Sequence, residues 1–184
     1  RLVTESHLYE PALTFAQGRL VGLIRDDCGG HYRQLVSDDL GTSWAETVSL
    51  VGHGELGLPS PFIGSAPGAP ETLFAFLTKR GAVGELGFIE LWRADIKALD
   101  WHCVRKLISF PSLEGKMDTR PHAEFAKKPH ALPEGCGHAK VDYGYPWMTP
   151  VASGEWFMVF YCGKLAGANG IYGMRITTDG SSER

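Results

Sequence analysis

The sequence predicts an all-β protein made of repeated four-stranded antiparallel units, the blades of a β-propeller. Short apolar runs rich in aromatic and branched residues recur along the 184 residues, each bounded by glycine or charge. The 23 glycines and 11 prolines indicate many turns, and no run keeps the 3.6-residue spacing of a helix. Because one such sheet cannot bury both faces alone, its repetition predicts stacked blades.

Each of three units starts with a proline at the entry of its first strand, where the missing N–H is tolerated. A second strand, apolar enough for burial on both faces, follows each proline. A third strand then ends in an acidic turn, roughly 30 residues after the proline, which is a period typical of repeat folds. The prolines lie in Glu10-Pro11, Ser60-Pro61 and Thr149-Pro150, and the turns at Asp39, Asp95 and Asp179.

The remaining strands complete the units. Third strands are predicted at 31–36, 87–92 and 170–176, and fourth strands near 46–51 and 101–108. The chain stops before a fourth strand of the third unit. We therefore expect a single domain over residues 1–184, with blades at about 8–55, 56–108 and 141–184 and an inserted loop at 109–140.

The composition narrows the classes of partner. Hydrophobic residues make up 43% and charged residues 21%, which is typical of a soluble globular domain. The net charge is −3 and there is no basic stripe, so we expect no nucleic-acid partner. No apolar run is long enough for a membrane helix, so no membrane partner is expected. No zinc-type spacing of cysteine and histidine is present, and we expect neither a metal nor a cofactor.

The first acidic turn is predicted to lock the hairpin between the third and fourth strands. Asp39 is placed to accept hydrogen bonds from backbone N–H groups of its own turn, and Gly41 permits a positive φ. Ser37 and Ser43 are expected to add local side-chain bonds. Trp44 supplies a large apolar face that holds the turn against the blade.

This turn resembles the Asp-box, or BNR repeat, of the sialidases. The pattern S-x-D-x-G-x-T-W is matched by Ser37, Asp39, Gly41 and Trp44, with Ser43 in place of the threonine. Degenerate copies lie at Asp95 with Trp101 and at 177–180. The resemblance covers about two-thirds of the chain and implies a sialidase-like propeller. In that family the Asp-boxes are structural and lie on the face away from the active site.

The resemblance also implies where a site would lie and which residues would form it. It implies a glycoside hydrolase acting on sialosides or related glycosides, with a tyrosine nucleophile, an aspartate acid and arginines that hold the substrate carboxylate. The acid would be Asp26 or Asp27, in the loop after the second strand, and the nucleophile Tyr143 or Tyr145. The predicted site comprises Asp26, Asp27 and Tyr145 as catalytic residues and Arg25, Arg80, Glu10, His31 and Trp147 as substrate-binding residues.

Two departures from the family pattern keep other functions open. The arginine expected just before the first proline is replaced by Tyr9, and no clear tyrosine–glutamate pair is visible. The alternatives to an enzyme are a non-catalytic glycan-binding propeller and a protein-interaction scaffold. The aromatic residues Tyr143, Tyr145 and Trp147 are suited either to sugar stacking or to packing between blades.

Three blades are too few to close a ring. Open blades leave strand edges and apolar faces uncovered. The sequence therefore predicts either that further blades belong to a longer protein or that two copies pair about a two-fold axis, giving a homodimer with six blades.

Overall fold

The computed structural model consists of antiparallel β-sheets. It describes residues 8–26, 31–47, 60–66, 68–79, 87–110, 143–152, 154–165 and 168–177. Within these ranges the chain forms no helix, and so none there that is long and apolar enough to cross a membrane. The predicted all-β propeller architecture is confirmed.

The strands form three sheets, here called blades 1, 2 and 3, and each blade follows chain order from its first strand outward. Blade 1 contains β1 (Leu8–Ala16), β2 (Arg19–Asp26), β3 (His31–Ser37) and β4 (Ala45–Thr47). Blade 2 contains β5 (Phe62–Ala66), β6 (Ala69–Lys79), β7 (Gly87–Asp95) and β8 (His102–Phe110). Blade 3 contains β9 (Tyr143–Ala152), β10 (Glu155–Leu165) and β11 (Ala168–Thr177).

The interface between blades 1 and 2 is an apolar layer. Val21 and Leu23 of β2 are fully buried against Leu73 and Ala75 of β6, in a cluster that Trp101 closes. These side chains alternate along their strands with residues that face the other way. The central strands are buried on both faces, which explains why their sequences are almost continuously apolar.

The interface between blades 2 and 3 is more aromatic. Phe74 and Phe76 of β6 pack with Trp156, Met158 and other buried residues of blade 3. The first strands also contact one another, β1 against β5 and β5 against β9. First strands that meet in this way line a common axis, so residues at their ends come together from different blades.

The repeat in blade 3 is displaced from its predicted position. Both β1 and β9 contain a bulge at a residue followed by proline, Glu10-Pro11 in β1 and Tyr145-Pro146 in β9. The structural counterpart of Glu10-Pro11 is therefore Tyr145-Pro146, and the predicted alignment on Thr149-Pro150 was wrong by one proline. Two prolines four residues apart explain the error, because the sequence does not show which of them follows the bulge.

The fourth strands also differ slightly from expectation. In blade 1 the strand covers Ala45–Thr47, where 46–51 was predicted, and residues 48–51 lie outside the described part of the chain. In blade 2 the strand extends to Phe110, two residues into the predicted insertion. The rest of that insertion lies outside the described residues.

Candidate active site

The hydrogen bonds of the turn after β3 centre on Asp39. Its Oδ1 accepts from the backbone N–H of Ser43 and from the Ser37 hydroxyl, both at 2.8 Å, and Oδ2 accepts from the Ser43 hydroxyl at 2.6 Å. Gly41 has a φ of 88°. The Trp44 indole donates to the Gly41 carbonyl at 3.1 Å. The turn therefore closes on itself, with every polar group of Asp39 directed inward.

These contacts change the acidity of the carboxyl group. Hydrogen bonds from the Ser43 hydroxyl and backbone, and from Ser37, lower the pKa of Asp39 to about 2. Asp95 holds the equivalent turn of blade 2, where backbone N–H groups of Ala98 and Lys97 lower its pKa as well. Both aspartates therefore stabilise backbone turns, because their carboxylates accept hydrogen bonds from residues of the same turn.

The turn end of the molecule also joins two blades. Arg19 of β2 donates to Asp38 at 2.6 Å and to the backbone carbonyl of Ile96, in blade 2, at 2.8 Å. The guanidinium group thus links the acidic turn of blade 1 to that of blade 2. This end of the blades has a structural role.

At the opposite end, Glu10, Arg25 and Tyr145 form one polar cluster. The Tyr145 hydroxyl donates to Glu10 Oε1 at 3.1 Å, and Arg25 Nη1 donates to Glu10 Oε2 at 3.0 Å. Glu10 and Tyr145 are 135 residues apart in sequence and belong to blades 1 and 3. The structure thus brings together three of the predicted site residues, one of them from a distant blade.

Glu10 and Tyr145 also share an uncommon backbone conformation. Their φ angles are 52° and 53°, in the left-handed region, and each precedes a proline. Such angles cost about 1–3 kcal/mol at a residue other than glycine, and a following proline normally favours extended backbone. Both bulges turn a side chain toward the same point. The two strained backbone positions therefore carry the two side chains that hydrogen-bond to each other.

Asp26 lies in a different environment from Arg25. Successive residues of a strand point to opposite faces, so Arg25 shares the face of Val21 and Leu23 while Asp26 faces away from blade 2. Its side chain is 1% exposed and accepts from Arg33 Nε at 2.6 Å, with His31 Nε2 3.8 Å away. Arg33 also pairs with Glu46 of β4, and both partners raise its pKa. Asp26 is therefore the buried member of an ion-pair network whose other members, Arg33 and Glu46, are partly exposed.

The aromatic residues divide between the two roles that the sequence left open. Tyr143 is buried between blades, and its hydroxyl donates to the Lys79 carbonyl at 3.1 Å. Trp147 is 68% exposed and contacts Phe62 edge-on, with ring centroids 6.0 Å apart. Beside it lies a cleft of about 170 Å³ between the first strands of the three blades.

Some predicted residues remain untested, and one relationship was missed. Asp27 and Arg80 lie outside the described residues. The pairing of Tyr145 with Glu10 was not predicted, although Tyr145 was named as a candidate nucleophile and Glu10 as a substrate-binding residue. The available signal was that each occupies the position before a proline at the start of its unit, which predicts equivalent places in the two blades.

Searches among known proteins relate the chain to solved structures only. No family model matches it, and no curated protein matches its sequence. It resembles an α-L-arabinanase of Penicillium chrysogenum solved with arabinobiose, with 13% identity and a TM-score of 0.66 over 96% of this chain and 48% of that one. It also resembles an α-L-arabinofuranosidase of Fusarium graminearum solved with arabinobiose, with 12% identity and a TM-score of 0.64 over 96% and 47% of the chains.

A third solved structure, titled a putative glycoside hydrolase from Bacteroides ovatus, aligns with 14% identity and a TM-score of 0.53 over 98% and 49% of the chains. At such identities the likeness defines the fold, which is the β-propeller of these enzymes. The chain spans about half the length of each of these solved structures. These neighbours are named as an arabinanase, an arabinofuranosidase and a glycoside hydrolase, and none of the three is named as a sialidase.

Proposed function

We propose that this chain forms part of a propeller glycoside hydrolase in which Tyr145 is the nucleophile and Glu10 is its base. The observation that carries the proposal is the hydrogen bond of 3.1 Å from the Tyr145 hydroxyl to the Glu10 carboxylate. A nucleophile within hydrogen-bond reach of a base, which is itself oriented by a third group, is the arrangement of covalent catalysis. Here Arg25 is the third group.

The pair fits a two-step mechanism. In the first step the Tyr145 oxygen attacks the anomeric carbon, its proton passes to Glu10, and an acid protonates the departing oxygen. In the second step water attacks the anomeric carbon and gives one proton to the carboxylate of the acid, while the departing Tyr145 oxygen recovers its proton from Glu10. Two displacements at the same carbon give overall retention of configuration.

The acid of the first step is proposed to be Asp27. Asp26 was the alternative, and its buried carboxylate accepts a hydrogen bond from Arg33 on the other face of the sheet. Asp27 follows the end of β2 and is two residues after Arg25 in sequence. Arg25, Arg80 and His31 remain proposed substrate-binding residues, of which Arg25 also orients the base. The proposal for His31 has less support, because His31 lies opposite Asp26 in the register of β2 and β3 and shares its face.

Two substrate classes deserve the first tests. The Asp-box-like turn favours sialosides, and the solved neighbours, two of them holding arabinobiose, favour arabinofuranosides. Purified protein would be incubated with a sialoside and with arabinobiose, and product formation followed by proton NMR. We expect turnover with retention at the anomeric carbon.

The decisive variants are Tyr145→Phe and Glu10→Gln. We expect each to lower turnover by roughly a hundredfold or more, because each removes a proton-transfer partner. Tyr172→Phe is the matched control, since it removes a hydroxyl in blade 3 from a ring that stacks on Phe160. Turnover that survives in Tyr145→Phe would exclude the tyrosine as nucleophile.

The second candidate function is glycan binding without hydrolysis. The exposed indole of Trp147 beside the cleft favours it, because aromatic faces bind sugars without any catalytic group. Broadened sugar signals with no turnover in the same NMR experiment would identify a binding module. A protein-interaction scaffold would show neither result.

The completion of the propeller by a second copy also belongs to this proposal. The outer face of blade 1 exposes Leu13 and Phe15, and that of blade 3 exposes Phe157 and Ile171. Two such units related by a two-fold axis would cover these faces and form six blades. Light scattering at micromolar concentration is expected to give twice the chain mass, and a monomeric mass would show that other blades are needed.

A further inference from the structure

We infer that the cleft beside Glu10 and Tyr145 binds one uncharged sugar ring, with Trp147 as its stacking surface, and thereby selects neutral over acidic glycosides. This inference rests on the proposed function, since it names the substrate class of the same site. It depends on three features of the described residues: the position of the cleft, the chemistry of its walls and the exposure of one indole.

The cleft lies near the polar cluster along two of the first strands. Its walls include Pro11, the residue after Glu10, and Trp147, two residues after Tyr145. The remaining wall comes from the start of β5, around Pro61 and Phe62. Because a strand advances about 3.3 Å per residue, a sugar ring in this space lies within a few ångströms along the strands of Glu10 and Tyr145, whose carboxylate and hydroxyl meet at 3.1 Å.

The described side chains that line the cleft carry no charge, while polar atoms form about half of its exposed surface. The Ser60 hydroxyl and the Trp147 indole N–H are the polar side-chain groups among these described residues, so the polar surface consists of neutral hydrogen-bonding groups. Burial of a carboxylate against such walls is costly unless a cation pairs with it. The nearest cation in the cluster, Arg25, is 18% exposed and already holds Glu10. These walls favour a ring that carries hydroxyl groups and no charge.

The size and the aromatic wall suit a single ring. The volume of about 170 Å³ is below the range of roughly 300–1,000 Å³ found for pockets of drug-sized ligands. Trp147 is 68% exposed and Phe62 holds it edge-on. An exposed aromatic ring in fixed position offers contact area with little loss of side-chain freedom.

The test compares binding in a variant that cannot turn substrate over. Saturation-transfer NMR would be run on Tyr145→Phe with methyl β-galactopyranoside, methyl α-arabinofuranoside and methyl α-sialoside as probes. We expect transfer to at least one neutral glycoside and at most weak transfer to the sialoside. Addition of Trp147→Ala is expected to weaken the neutral binding by roughly tenfold, because the largest apolar contact is removed.

The control is Val104→Ala in the same background. Val104 is an exposed apolar residue of β8, at 37%, and does not line the cleft, so its truncation is expected to leave sugar binding unchanged. Thermal unfolding of both variants shows whether they remain folded. The exposure of Trp147 predicts little change in stability.

The outcomes separate this inference from the proposed function. If neutral sugars bind in a way that depends on Trp147 and the parent protein shows no turnover, sugar binding in the cleft is supported and the proposed hydrolase activity is refuted. If the protein turns substrate over and Trp147→Ala leaves KM unchanged, the proposed hydrolase activity is supported and the role of the cleft in substrate binding is refuted. Preferential binding of the sialoside, or no sugar binding at all, also overturns the inference.

Discussion

The indole nitrogen of Trp101 donates a hydrogen bond of 2.7 Å to the side-chain oxygen of Gln34, across the interface between blades 2 and 1. Both side chains are buried, at 5% and 4% exposure. Gln34 also donates to the Thr47 hydroxyl at 2.7 Å. A polar link inside an otherwise apolar layer specifies how the two blades align, because any sliding leaves buried groups without partners.

Replacement of Trp101 by phenylalanine is expected to lower the free energy of unfolding by roughly 1–3 kcal/mol, since the Gln34 oxygen then loses its partner in a buried site. Urea denaturation measures the change. In Gln34→Leu the same Trp101→Phe substitution should cost clearly less. Equal costs in both backgrounds would show that the hydrogen bond contributes nothing beyond the volume of the indole.

The Asp39 turn predicts a pH dependence of stability. The pKa of Asp39 is lowered to about 2 in the folded protein, below its value of roughly 3.9 in an unfolded chain. The charged carboxylate therefore stabilises the fold above pH 4, and this contribution is lost as the pH falls toward 2. Asp39→Asn should lower Tm by a few degrees near neutrality and make little difference in strong acid.

A second variant checks that this dependence arises from the turn. Asp38→Asn removes the ion pair with Arg19 and leaves the hydrogen bonds of Asp39 in place. The difference in Tm between it and the parent protein should be small at every pH, because exposed pairs contribute little. A pH-independent loss in Asp39→Asn would refute the linkage.

Gly41→Ala tests the backbone requirement of the same turn. Gly41 has a φ of 88°, and a Cβ there would lie 3.6 Å from both Leu20 and Trp44, an ordinary contact distance. The expected loss of about 1 kcal/mol in unfolding free energy therefore arises from backbone conformation alone. Gly18→Ala, with a φ of 80° and nothing within 4 Å of the new Cβ, should cost about as much. A much larger loss at Gly41 would reveal a packing conflict.

Arg25 is predicted to act through Glu10. Arg25→Gln should lower kcat by roughly tenfold to a hundredfold, because the base loses the group that holds its position. Arg25→Lys should recover part of the rate by restoring one cationic donor. The pH profile of kcat should shift in Arg25→Gln, which a merely structural residue would not cause. An unchanged profile with a lower Tm would assign Arg25 to stability alone.

The central strands of this fold were predictable because a strand that is buried on both faces has an almost continuously apolar sequence. β2 and β6 are apolar runs between glycine or charge, and each forms the second strand of its unit, as the sequence predicts. The bulge at Tyr145 was not predictable, since the choice between Pro146 and Pro150 depends on strand register. The environment of Asp26 was hidden for a related reason, because a shift of one residue at the end of β2 moves a side chain to the opposite face.

The candidate site was partly predictable. Its members Glu10, Arg25 and Tyr145 were identified by their positions in the repeat, whereas their contacts depend on how the blades are arranged. A contact between residues 135 positions apart cannot be read from local pattern, and only the shared position before proline relates Glu10 to Tyr145. The role of Trp147 as an exposed ring, with Tyr143 buried beside it, likewise required the inter-blade packing.

Because Glu10 and Tyr145 have left-handed backbone conformations, the residue that would favour thermal stability at these two positions differs from the residue that the proposed activity requires. Glycine adopts such angles freely, so Glu10→Gly would relieve about 1–3 kcal/mol of strain against a glycine cost of roughly 0.5–1 kcal/mol. Laboratory selection for thermal survival alone would therefore drift toward glycine at both bulges. The selected variants would be more stable propellers that lack the hydroxyl and the carboxylate of the proposed site.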